Sequence, residues 1–253
     1  MPHRLFSTEQ RDRIKDRLLE MGRSDSRIVS AALVGSSATG GDRWSDLDVT
    51  FGLKAEAKLE PVLSDWTASL RQEFDAVHLF DLPHWTSLYR VFLFPGNLQV
   101  DVSFTPEADF GANGPRFKLV FGKATEKARP QQPTPQHLFG YAVHHLVRAR
   151  FCIERGRLWQ AEYWISAARD YVLALACLQR GLSTDNGRGF DSLPGDVTRP
   201  LAGSLVRSLG RRTLLGALEK TVEGLLENSR DVGEPALRLK GQLRNLSSHS
   251  LGD

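Results

Sequence analysis

Two patterns divide the chain. Short apolar or alternating runs punctuated by glycine fill the first half, and helical spacing fills the second. "STEQRDRIKDRLLEMG" opens with a helix, where Ser7 and Gln10 form a capping box and Gly22 is expected to end it. "RIVSAALVG" (Arg27 to Gly35) is a β-branched run stopped by glycine, so a buried strand, and "DLDVTFG" is a second strand after a glycine-serine-rich loop. Leu59, Val62, Leu63, Trp66 and Leu70 then recur on one side of a helix within residues 57–74. "AVHLFDL" predicts a third strand, and Tyr89 to Phe94 with Leu98 to Phe104 predicts a hairpin across Pro95-Gly96-Asn97. With "FKLVFG" as a last edge strand, this half reads as an α/β unit of about five strands.

"KARPQQPTPQ" (Lys127 to Gln136) holds three prolines and no apolar run, the composition of a linker. Two long helices are expected next, at about 137–156 and 158–181, then a Gly/Asp/Pro loop over 182–200 and shorter helices to about His249. The expected organisation is an α/β (α+β) domain with a mixed sheet at 1–126, a linker at 127–136, and an all-α helical bundle at 137–253.

Composition adds exclusions. No apolar run approaches the ~20 residues that span a bilayer, and "MPHRLFSTEQRDRIKDR" lacks the apolar core of a signal peptide. Cys152 and Cys177 both fall in apolar helical stretches, so buried free thiols are expected, and a cytoplasmic location with no membrane partner. The net charge of +3 is confined to the second half, where 16 Lys and Arg face 12 Asp and Glu; the first 129 residues carry 17 and 18. That is too mild to demand a nucleic-acid partner, whose binders usually show a strong, clustered basic face.

The chemistry is concentrated in "VGSSATGGDRWSDLDVTFG" (Val34 to Gly52). Strand alternation puts Asp46, Asp48 and Thr50 on one face and Leu47, Val49 and Phe51 on the other. Two carboxylates ~5 Å apart repel by about 3 kcal/mol at an effective dielectric near 20, a repulsion that a hard divalent cation reverses. Asp101 in "LQVDVSF" shares a face with Gln99 and Ser103, so if its strand neighbours "DLDVTF", three carboxylates converge at one end of a sheet. Such a cluster suits two metal ions around a transferring phosphate. In the turn after the first strand, Gly35 permits close backbone approach and Ser36 adds a donor, the features of a phosphate-holding turn. It is not a Walker A loop, since no Gly-Lys-Ser/Thr follows.

Strand, Gly-Ser, nine residues, Ser-Asp-Leu-Asp-Val and a third Asp some fifty residues on form a pattern that resembles the nucleotidyltransferase superfamily including DNA polymerase β. "GSSATGGDRWSDLDVTF" looks most like the antibiotic nucleotidyltransferases of the streptomycin/spectinomycin type, which pair an α/β domain with a C-terminal helical domain. The motif resemblance covers about residues 28–104. It implies that Gly35, Ser36 and Ser45 hold nucleotide phosphates, that Asp46 and Asp48 bind Mg²⁺ (two ions), and that Asp101 is the third ligand or the base. The implied reaction is attack by a hydroxyl of a small molecule, an antibiotic among the candidates, on the α-phosphate of ATP or another NTP, releasing pyrophosphate.

In the helical half, Arg148 and the edge-strand Lys118 are further candidates for phosphate contact, with His144 and His145 beside Arg148. Trp159, Tyr163 and Trp164 offer rings for stacking, or core. Glu154, Glu162 and Asp170 are candidate acids; Glu162, beside Ala161 and Tyr163 in an apolar stretch, is preferred because a charge there is costly unless used. The basic balance of this half weighs against a polycationic acceptor. A rival reading rests on "RNLSSH" (Arg244 to His249), which matches R-N-x-x-x-H and resembles the ribonuclease signature of HEPN domains in toxin–antitoxin pairs, whose targets are protein or RNA.

Overall fold

A computed structural model describes residues 5–112, 114, 116–127 and 132–248. The chain divides into two compact units, 1–131 and 132–253, a division that falls inside the proline-rich 127–136 segment, of which 128–131 lie outside the described residues.

The first unit opens with α1 (Thr8–Ser24). Its start is the capping box: the Ser7 hydroxyl accepts from the Gln10 amide at 3.2 Å, and the Gln10 side chain accepts from the Ser7 amide at 2.8 Å. Gly22 does not end the helix, which runs two residues further. A Cβ there would meet the Phe51 ring at 2.4 Å, so this glycine makes room for packing. The sheet has six strands, β1 (Ile28–Val34), β2 (Leu47–Leu53), β3 (Val77–His84), β4 (Ser87–Phe94), β5 (Leu98–Pro106) and β6 (Phe117–Phe121). Their spatial order is β3-β4-β5-β2-β1-β6, and β2 with β5 is the parallel pair in an otherwise antiparallel ladder.

The two faces of the sheet differ in character. Leu47, Val49 and Phe51 of β2 join Val100, Val102 and Phe104 of β5 in one core with α1 and with α2 (Leu59–Phe74), where Trp66 meets Phe51 and Phe104 edge-on at 4.7 and 5.2 Å. The intervening residues Asp48, Thr50, Asp101 and Ser103 occupy the other face. The apolar run of β3 is not core: as an outer strand it is exposed along its whole length.

The second unit is helical. Thr134 caps α3 (Pro135–Glu154), its hydroxyl accepting from the His137 amide at 3.1 Å, and Pro135 takes the first helical position. α4 (Leu158–Leu178), α5 (Gly195–Leu201), α6 (Arg211–Glu227) and α7 (Glu234–Ser247) follow. The expected 182–200 loop therefore contains α5 and a 3₁₀ turn at Phe190–Ser192. Leu146, Ile165, Leu175 and Leu218 lie in one core. Arg150, 1% exposed, donates to the carbonyls of Leu246 and Ser248 at the end of α7. Cys152 and Cys177 are buried free thiols. Among the described residues no helix is long and apolar enough to cross a membrane.

Candidate active site

β2 and β5 run parallel with Asp48 opposite Asp101 and Thr50 opposite Ser103. Partners opposite each other in a ladder project from the same face, so the two carboxylates are side-by-side neighbours across one strand spacing of about 4.8 Å. Asp46 lies just before β2 and is exposed. The parallel pair thus brings together residues 53 positions apart, with Val91 of β4 completing the row beside Asp101.

The Gly-Ser turn closes the site from the β1 side. Gly35 to Thr39 form a 3₁₀ turn that begins where β1 ends, and Gly35 has φ +60°. That conformation favours glycine, and a Cβ on Gly35 would lie 2.6 Å from Oδ2 of Asp48. The Gly35 amide donates to the Arg116 carbonyl at 3.1 Å, so it is already engaged. Ser36 Oγ donates to Oδ1 of Asp46 at 3.5 Å. Ser37, not singled out by the sequence, binds both sides of Asp46: its hydroxyl donates to the Asp46 carbonyl at 3.4 Å and accepts from the Asp48 amide at 3.1 Å.

The loop that delivers Asp46 is braced from within and from α1. Gly40 and Gly41 both have positive φ, and Asp42 then organises the next three residues. Its carboxylate accepts from the Trp44 amide at 2.8 Å and the Ser45 hydroxyl at 3.1 Å, while its own amide donates to Ser45 Oγ at 2.9 Å. The Ser45 hydroxyl is therefore committed to the loop. From α1, the buried guanidinium of Arg11 donates to the carbonyls of Asp42 and Ser45. Sequence reasoning missed Arg11, yet it sits three residues before Ile14 and seven before Leu18 on the buried stripe of α1. A cation at such a position needs buried partners.

Electrostatically the carboxylates act on one another. Burial pushes the Asp101 carboxyl above its usual range; the Gln99 amide, donating at 3.0 Å, opposes this, and the nearby Asp46 charge adds to it. Among the described residues no three carboxylate, imidazole or thiol groups are gathered tightly enough, as they stand, to enclose a metal ion. The donor set nonetheless fits a hard divalent cation. It consists of oxygens, two carboxylates are held side by side by the ladder, and the third is coupled to Asp101 through its charge.

The remaining candidates are on another face of the sheet or in the second unit. Lys118 stands opposite Leu33, which stands opposite Val49, so Lys118 belongs to the face away from Asp48. Arg148 and Glu162 belong to the second unit. Arg148 lies 5.1 Å over the Trp164 ring and donates to Nε2 of His144 at 3.2 Å; Glu162 accepts from Ser166 at 2.7 Å. Around Arg148 is a ring cluster, with Tyr141 stacked on Tyr171 at 5.2 Å and His145 4.8 Å from Trp164. Burial holds the His145 imidazole below its usual range, helped by the His144 and Arg148 charges. Glu154 is taken up by ion pairs to Arg150 and Arg211, each at 2.7 Å. Arg244 is exposed on α7, while His249, which completes the R-N-x-x-x-H match, lies outside the described residues.

No protein-family model matches the chain, and no curated protein matches it. Among solved structures it is similar to an aminoglycoside 6-adenyltransferase from Bacillus subtilis, with 13% sequence identity and a TM-score of 0.41 over 96% of this chain and 99% of that one. A likeness this slight does not bear on activity.

Proposed function

We propose that the first unit is a Mg²⁺-dependent nucleotidyltransferase that moves a nucleoside monophosphate, AMP first among the candidates, from an NTP to a hydroxyl of a small molecule. The observation that carries this reading is the in-register Asp48–Asp101 pair set against the Gly35 turn, whose backbone can approach Asp48 only because residue 35 has no side chain.

In this reading the Gly35–Thr39 turn and the Ser36 hydroxyl bind the phosphates, and Asp46, Asp48 and Asp101 hold the metal. Mg²⁺ bound there supplies charge neutralisation for the triphosphate and the departing pyrophosphate. The acceptor oxygen forms a bond to the α-phosphorus as the bond from that phosphorus to the bridging oxygen breaks. Pyrophosphate leaves with the electron pair of the broken bond. The hydroxyl proton goes to a base, the role Asp101 takes where it does not ligate the metal. Catalysis rests on positioning and charge, which is why Arg11 and Ser37, touching only backbone, matter to it. The ring face of α3 and α4 is our candidate surface for the acceptor, with Arg148 over Trp164 as its charged member; Glu162, bonded to Ser166 on the other flank of α4, is a separate candidate acid. Hydroxylated antibiotics are the acceptor class to test first.

Pyrophosphate release, measured with Mg²⁺ and each of the four NTPs across a panel of hydroxylated compounds, tests the proposal. Metal-dependent release that disappears in Asp48→Asn supports it. Absence of any Mg²⁺–NTP binding by the wild-type chain sinks it.

A further inference from the structure

The last two helices enclose a groove of about 640 Å³ whose walls carry opposite charge. α6 contributes Glu219, Glu223 and Glu227, each one helical turn from the next. Across from them stand Lys240 and Arg244, one turn apart on α7, with Arg230 at the connection between the helices. The floor is apolar, and Leu237 stands at its edge with 76% of its surface exposed. Among the described residues no ion pair joins the two walls; Lys220 pairs with Glu223 along α6 at 2.6 Å, and Arg238 with Glu234 along α7 at 3.4 Å.

A partner of uniform charge is attracted by one wall and repelled by the other, so neither a polyanion nor a polycation suits this groove. A fitting occupant carries an acidic row and a basic row side by side with an apolar residue between them. The α6–α7 pair of a second copy is such an object. A two-fold axis running along the groove sets α6 of each copy over α7 of the other, so each acidic row meets a basic row, twice. The same rotation offers each copy's Leu237 to the apolar floor of its mate. A two-fold axis across the groove instead lays α6 on α6 and α7 on α7, setting like charge against like.

We infer that the chain forms an isologous homodimer through the α6–α7 groove, with charge choosing the orientation and Leu237 supplying apolar contact. The test is sedimentation velocity on the full chain and on two charge-reversed variants. One carries Glu223→Lys with Glu227→Lys, which makes both walls basic; the other carries Lys240→Glu with Arg244→Glu, which makes both acidic. All four positions are exposed, so folding is expected to persist and is checked by circular dichroism. The expected result is a wild-type dimer, two variants that are each monomeric, and an equimolar mixture of them that dimerises. In the wild type alone, Leu237→Asp should weaken the dimer at least about tenfold, a change of ~1.4 kcal/mol. A wild-type chain that stays monomeric to ~100 μM, dimers that survive in both variants, or a mixture that stays monomeric would overturn the inference.

Discussion

A Cβ built on Gly35 would sit 2.6 Å from Oδ2 of Asp48, well inside van der Waals contact, at a backbone φ of +60°. Gly35→Ala therefore meets two obstacles, a left-handed conformation costing about 1–2 kcal/mol and a carboxylate that must move. We expect a stability loss of that size together with a fall in transfer rate on the order of 10² or more, because small misplacements at a reacting centre cost that much. Urea unfolding beside initial rates separates the two effects. A variant that retains full rate would show that the Gly35–Asp48 approach does not matter to catalysis.

Asp48→Asn and Asp101→Asn are expected to cut transfer on the order of 10³-fold, the second without destabilising the chain. Asp101 in particular is held charged against burial and against Asp46, so its neutral isostere should melt at the same temperature or higher. Mg²⁺ should raise the melting temperature of the wild type by linkage and leave both variants unmoved. Differential scanning calorimetry with and without Mg²⁺ reads all of this.

Arg11 makes its contacts to carbonyls of the loop between the Gly-Ser turn and β2 and touches no reacting group. Arg11→Met keeps the aliphatic stem and removes the guanidinium from the Ser45 and Asp42 carbonyls, of which Asp42 keeps the Ser45 amide at 3.3 Å. The expectation is a loss of about 1–3 kcal/mol in stability and a roughly tenfold lower kcat, with KM for the acceptor little changed. An unchanged kcat would reduce Arg11 to a structural role.

Asp25 carries the clearest acid sensitivity. Its carboxylate accepts from Nε and Nη2 of Arg27 at 2.8 and 2.7 Å and from the Trp66 indole at 2.9 Å. The Arg27 guanidinium is the main cause of its fall from 3.8 to about 2. Because the folded value is depressed, the stabilisation is fully present above pH ~4 and is lost as pH falls towards 2, amounting to about 2 kcal/mol. Asp25→Asn should be less stable than wild type by that order at pH 6, and the gap should close near pH 2 in urea titrations. A gap that stays constant across this range would refute the assignment.

Alternation along a strand makes the facing of Asp48 and Asp101 legible from sequence, since it follows from the period of two, whereas Asp46 lies just before β2 and is placed by the loop. Which strands are neighbours does not follow: nothing in "DLDVTF" or "LQVDVSF" says that β2 and β5 pair in parallel, because that depends on α2 and the β3–β4 hairpin returning the chain. Edge and centre are equally hidden: "AVHLFDL" predicts a strand, and nothing in it says that β3 lies exposed at the margin. Gly22 illustrates a third blind spot. A glycine near a helix end looks like a stop, and the Phe51 ring that needs its bare Cα comes from another element. Arg11 escaped notice because a charge on an amphipathic helix is ordinarily assigned to the solvent side, although its place in the Ile14–Leu18 stripe was available.

The parallel ladder that aligns Asp48 with Asp101 acts as a ruler, and rulers constrain which changes of length a gene can tolerate. One residue inserted within β2 or β5 ahead of its aspartate reverses the facing of that carboxylate and sends it into the helix-covered core. The same insertion at the exposed Trp85 turn between β3 and β4 leaves the spacing untouched. Length variation is thus expected to gather in the hairpin and to be purged from the two strands.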